Sequence, residues 1–422
     1  MLIQTFSDNK LPAEDAGNNP AKVRPLAYKV AIFYLFILGT QFVWIEGMSI
    51  SLIKVAALVL SPVLFLLCRV RMSGAWFFGG LYFILILASL WLRNLPITLS
   101  VGYTLGCLCA FATFHSLLEA KVFDYDDALD ILKKLIYLYA AVLLLQQIKA
   151  YTGIGYAPVI NFYSMVHNGL FKFNSLFIEP SHFGRVMAVV LFAFLELKRL
   201  RYGEKLSVKK LWETDRWVLI AGIYSLIMSG SGAAIVALMI VCGYIIMRGS
   251  PGVLFVGCIV FFALLPILEK MDNVHRAVST IEVSTTMDIN KIRENDSSAA
   301  ARVAPIIAFI ENFRPGASDF WRGQTEGSSK YYANIGIIEF YGVMSYIGLL
   351  LLLFGCCFRG IFSLEFIFFC GLFAATVGNV AYVWFSMMIF AIVKYFYQQK
   401  LQNSSVFSAE TNTDNSSGGE IC

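Results

Sequence analysis

GAWFFGGLYFILILASLWL, residues 74–92, runs for nineteen positions without a charged side chain. Coiled as an α-helix it would be about 28 Å long, close to the thickness of a bilayer's hydrocarbon core. Such a run reads as a membrane span, because a helix satisfies its own backbone polar groups where no water can. The whole chain repeats this character. Of its 422 residues, 58% are hydrophobic, 15% aromatic and 14% charged, with a mean hydropathy of +0.69, well outside the balance of soluble domains.

Scanning outward from 74–92 gives about twelve apolar runs: 28–44, 48–68, 74–92, 97–118, 131–150, 181–200, 217–229, 233–247, 253–268, 335–357, 364–377 and 380–397. The pairs around 229–233 and around Gly378 have short helices and almost no turn, so eleven or thirteen spans also fit. The expected fold is an all-α polytopic membrane protein. Basic residues collect in short cytoplasmic loops, which orients the spans. The runs Lys198-Arg199-Leu200-Arg201 and Lys205 to Arg216, together with Arg69, Arg71 and Arg248, fall on one side, and both termini are expected there, in the cytoplasm. The net charge of +5 follows from this asymmetry and needs no nucleic-acid partner.

The expected organisation is a polar arm at 1–27, nine spans within 28–268 interrupted by an outer loop at 151–180, a large outer loop at 269–333, three spans at 334–397 and a tail at 398–422. The arm has no apolar signal-peptide core, and the tail is rich in Ser, Asn, Thr and Gly, so both are expected to be disordered. The nine cysteines lie in or beside apolar runs or at the terminal Cys422, which indicates neither a disulfide framework nor a thiolate metal site. No phosphate-binding P-loop, HExxH or dinucleotide fingerprint is present.

Chemistry is therefore sought in the two outer loops. The first ends Phe177-Ile178-Glu179-Pro180-Ser181-His182-Phe183-Gly184-Arg185. Pro180 suits a first helical turn, and Glu179 ahead of it favours the positive end of the helix dipole. His182 and Arg185, three apart, share a face. A carboxylate, an imidazole and a guanidinium together could deprotonate a hydroxyl while holding an anion. The plainer alternative is capping by Glu179 and interfacial anchoring by Arg185.

In the second loop, residues 299–313 have helical composition and an apolar stripe through Ile306, Phe309, Ile310 and Phe313, with Pro305 in its early part. Arg302, Arg314 and Arg322 could bind phosphate oxygens bidentately. Trp321, Tyr331 and Tyr332 could face sugar rings or form an interfacial belt. Glu339, early in the following span, could pair with one of these arginines. Lys54 and Glu46 read as a structural pair or as snorkelling charges, and His115 and Glu196 as local structure near the inner face.

These runs resemble the Wzy-type O-antigen polymerases within the O-antigen ligase and polymerase superfamily. The likeness rests on Phe177 to Gly184, on Met228-Ser229-Gly230-Ser231-Gly232-Ala233, on Ser298 to Arg302 and on Arg322-Gly323-Gln324-Thr325-Glu326-Gly327, and covers roughly 171–353. Gly232 stands where relatives often carry an arginine, and no histidine follows Arg302, which favours the polymerase branch over the ligase branch. The resemblance implies a bacterial inner-membrane glycosyltransferase joining undecaprenyl-diphosphate-linked repeat units at the periplasmic face. It implies no metal or other cofactor, and partnership with a chain-length regulator and a flippase of the same pathway. Glu179 or His182 would be the base, Arg302 and Arg185 the diphosphate ligands assisted by Arg314 or Arg322, and Trp321, Tyr331 and Tyr332 the sugar contacts. The alternatives are a ligase transferring glycan to lipid A core, and a transporter or flippase. A transporter would be expected to show two matching halves, and the sequence shows no such repeat.

Overall fold

The computed structural model describes residues 20–41, 52–152, 165–167, 170–203, 205–249, 288, 290–291, 294, 310, 315–323, 336–373 and 380–416. These are overwhelmingly helical. In chain order the helices are α1 (Pro20–Leu38), α2 (Leu52–Val59), α3 (Ser61–Cys68), α4 (Gly74–Leu92), α5 (Leu99–Glu119), α6 (Tyr125–Thr152), α7 (Pro180–Tyr202), α8 (Val208–Met228), α9 (Gly232–Arg248), α10 (Ser318–Arg322), α11 (Gly336–Cys356), α12 (Leu364–Leu372) and α13 (Ala381–Ser416). A small antiparallel hairpin, β1 (Met165–His167) and β2 (Leu170–Lys172), precedes α7. Among the described helices, α4 and α5 are long and apolar enough to cross a membrane. The expected span at 253–268, the amphipathic stretch at 299–313 apart from Ile310, and Asn379 lie outside the described residues.

Several boundaries depart from the apolar runs for local reasons. The run 48–68 divides at Leu60, because Pro62 suits the first turn of a new helix and interrupts the old one. Helix α8 begins nine residues before the apolar run at 217, and its backbone leaves helical geometry at Asp215 (φ −136°, ψ 26°). At the end of the chain, α13 continues through Ser416, over residues whose composition reads as an unstructured tail. Once a helix is nucleated, each added residue gains a hydrogen bond, so weak propensity alone need not stop it.

Helices α7 and α13 form the axis of the bundle. Every side chain from Val186 to Leu195 is buried, as is the run Ala381 to Val393. The periphery is inverted relative to a soluble protein: Leu66, Phe77, Ile84 and Trp91 are each more than 60% exposed. Apolar exposure on that scale marks a surface that meets a membrane or another apolar partner.

Charged side chains tie the helices together at the end where α7 finishes. Glu196 accepts from Arg199 at 2.7 and 2.8 Å, from Tyr244 of α9 and from Arg359, whose Nε lies 2.7 Å from Glu365 of α12. Asp215 is clasped by Lys133 at 2.5 Å and Lys198 at 2.6 Å, and Thr214 donates to it at 2.7 Å. Burial alone would raise the Asp215 carboxyl, but these hydrogen bonds outweigh it and hold the group below its ordinary value of 3.8. Leu206 N–H donates to the Arg248 carbonyl, and Lys400 to that of Leu200, closing the same end. Glu196 and His115, the latter 3.5 Å from Glu119, belong to this end as local structure.

Candidate functional site

At the opposite end, the approach to α7 is a buried plug. Phe173, Leu176 and Phe177 are apolar anchors, and Phe177 packs edge-on to Tyr139 at 5.5 Å. Between the anchors lie Asn174 and Ser175, both fully buried, with Ser175 at φ +50°. Buried polar groups must be paired, and these are. Gln146 Nε2 donates to Asn174 Oδ1 at 2.8 Å and to the Ser175 carbonyl at 3.0 Å, while its Oε1 accepts from Ser175 N–H at 2.8 Å. Ser175 Oγ donates to the Tyr139 carbonyl at 2.8 Å, and Asn174 Nδ2 to the Ile178 carbonyl at 3.2 Å. The stretch leading into α7 thus lies inside the bundle.

That plug fixes the start of α7. Glu179 occupies the N-cap with extended backbone and Pro180 follows, but the Glu179 carboxylate does not cap. It accepts from Ser181 Oγ at 3.1 Å and faces His182 Nε2 at 3.6 Å. The carboxylate is 57% exposed and the imidazole 22%, so the pair opens toward the outside of the bundle.

Gln41, just beyond α1, faces the other nitrogen of that imidazole. Its Oε1 accepts from Ile178 N–H at 3.0 Å and lies 3.5 Å from His182 Nδ1. Gln41 Oε1 and the Glu179 carboxylate are both acceptors, so a proton on either ring nitrogen has an oxygen facing it. On its other side the His182 ring stacks on Tyr382 of α13, with centroids 4.3 Å apart and planes at 29°. Arg185, one turn along, donates to the Tyr382 hydroxyl at 3.1 Å.

The N-terminal ends of three helices meet here. Ser231, which caps α9 through Ala234 N–H at 3.1 Å, donates to the Pro180 carbonyl at 3.5 Å. Gly184 faces Ala234 so closely that a Cβ at 184 would overlap it. Tyr382 belongs to the first turn of α13. Convergent helix N-termini beside a guanidinium make an environment suited to anions.

Of the residues singled out in the sequence, Glu179, His182 and Arg185 are brought together. Arg302, Arg314, Tyr331 and Tyr332 lie outside the described residues. Trp321 and Arg322 belong to α10, which is held against α4 and α11. Ser89 Oγ donates to the Arg322 carbonyl, Trp321 Nε1 donates to the Pro315 carbonyl at 2.7 Å, and Phe320 is buried. Gly342, at φ +74° in a break of α11, lies against the backbone of Trp321 and Gly323. Glu339 falls in the first turn of α11. Lys54 is buried and donates to the Thr40 carbonyl, and Glu46 lies outside the described residues.

Gln41, Tyr382, Gln146 and Asn174 were not legible as site residues. Each is a neutral polar group among apolar residues, and the signal for it is that such a group needs a partner once buried. No protein-family model, curated protein or solved structure matches the chain.

Proposed function

We propose that this chain is a multi-pass inner-membrane polymerase that joins undecaprenyl-diphosphate-linked oligosaccharide repeats at the periplasmic face. The observation that carries the reading is the Glu179, His182 and Arg185 cluster, a proton-accepting pair one helical turn from a guanidinium where three helix N-termini converge. The apolar periphery of the bundle supports the membrane part of the proposal, and the resemblance of the motifs supports the substrate.

In the reaction, a hydroxyl of the incoming lipid-linked unit attacks the anomeric carbon of the growing glycan. The bond from that carbon to the diphosphate oxygen breaks, and the lipid diphosphate departs with the electron pair. Glu179 or His182 takes the hydroxyl proton, and the other member of the pair stabilises the group so protonated. Arg185, assisted by Arg302 and by Arg314 or Arg322, offsets the charge developing on the leaving diphosphate. Trp321, Tyr331 and Tyr332 contact sugar. A chain-length regulator and a flippase are the partners this role calls for.

The test is an assay of the purified full chain with one synthetic lipid-diphosphate repeat. A ladder of products is expected, reduced by at least about a hundredfold in Glu179→Ala and Arg185→Ala. Intact substrate after incubation with a folded protein would refute polymerisation, and an unchanged ladder in both variants would refute the site.

A further inference from the structure

The stretch entering α8 carries a surface that the proposed reaction does not use. Lys205, Lys209, Lys210 and Arg216 are exposed there, against the single exposed acid Glu213, with Glu204 outside the described residues. Asp215 cannot neutralise them, because Lys133 and Lys198 already hold it within the bundle. Lys210 lies over the Tyr202 ring at 3.9 Å and Arg216 over the Trp217 ring at 5.4 Å, so two of the four cations rest on aromatic faces. Leu206 and Leu211, on the other face, are buried.

The kink at Asp215 coincides with a change in what the helix exposes. Before it come Lys209, Lys210 and Trp212, and after Arg216 the exposed side chains are apolar: Trp217, Ile220 and Ile227. A row of cations flanked by two exposed tryptophans, at the level where a helix surface turns apolar, matches the headgroup layer of a bilayer. We infer that this face binds the phosphate headgroups of anionic phospholipids in the leaflet at the α7–α8 turn. The inference rests on the membrane part of the reading above and not on polymerisation. A nucleic acid would also suit the cations, but it would not account for the tryptophans or for the apolar boundary at Trp217.

Native mass spectrometry of the full chain in neutral detergent, titrated with equal phosphatidylglycerol and phosphatidylcholine, tests it. The wild type should retain the anionic lipid over the zwitterionic one by about fivefold, and Lys209→Gln/Lys210→Gln/Arg216→Gln should lose most of that preference. A charge-conserving Lys209→Arg/Lys210→Arg/Arg216→Lys variant should keep it, as should Lys134→Gln, which removes an exposed lysine already paired with Asp130. Undiminished preference in the glutamine variant, or its loss in the charge-conserving one, would overturn the proposal. So would displacement of the lipid by inorganic phosphate, which would mark a site for free anions. A chain that stays monodisperse without detergent would instead overturn the membrane reading.

Discussion

Gln41 illustrates how one neutral side chain can direct the chemistry of another. Its carbonyl oxygen accepts from Ile178 N–H and lies 3.5 Å from His182 Nδ1, so it ties the entry of α7 to the imidazole. Gln41→Leu should lower kcat for polymerisation by about tenfold or more and alter its pH profile, while the KM for the lipid-linked donor stays near wild type. An unchanged kcat would show that this contact plays no part in the reaction. Asp215 makes a different statement about pH. Its carboxyl is held below 3.8 in the fold, so its contribution is complete above the unfolded value and is lost as pH falls through the folded one. Melting temperature should therefore drop below about pH 4 in the wild type. Asp215→Asn should be less stable at neutral pH by about 3 kcal/mol, since two lysines lose their counter-charge, and should lack that acid limb. Parallel acid limbs in the two proteins would contradict the assignment.

Among the elements, the shortest shows most clearly how packing overrides length. Helix α10 has only five residues and could not persist alone, yet Ser89, the buried Phe320 and the break at Gly342 hold it on α4 and α11. Gly342→Ala adds a Cβ where φ is +74° and where the Trp321 carbonyl already lies. It should destabilise the fold by about 1–2 kcal/mol from the backbone alone, with more from the overlap. Limited proteolysis within 315–323 should become faster, and unaltered cleavage would mean that α10 is held by other contacts. Gly184 has the same relation to α9, where the absence of a side chain lets two helices approach at the site. The apolar runs made α4 and α5 legible, but they could not reveal α10, which is held by Ser89, more than two hundred positions away, and by the break at Gly342.

For the whole molecule, the alternation of helices sends the basic clusters to one end and the Glu179 cluster to the other. Under the proposed topology the first end is cytoplasmic. A cysteine placed at exposed Ser318 should then react with a membrane-impermeant maleimide in intact spheroplasts, whereas one at exposed Lys209 should react only after permeabilisation, each measured over the parent background. The reverse pattern would invert the protein and remove the site from the periplasmic face.

The sequence by itself determined the helical character, the basic asymmetry and the grouping of Glu179, His182 and Arg185, because composition and helical periodicity are properties of neighbouring residues. It also carried the resemblance on which the proposed substrate rests. Tertiary structure alone decided that Gln41 and Tyr382 complete that group, that the end of the loop before α7 is a buried plug, and that Asp215 belongs to two lysines. The reason is physical: a buried hydrogen bond or ion pair is specified by which helices touch, and those contacts join residues as far apart as 41 and 182, or 185 and 382.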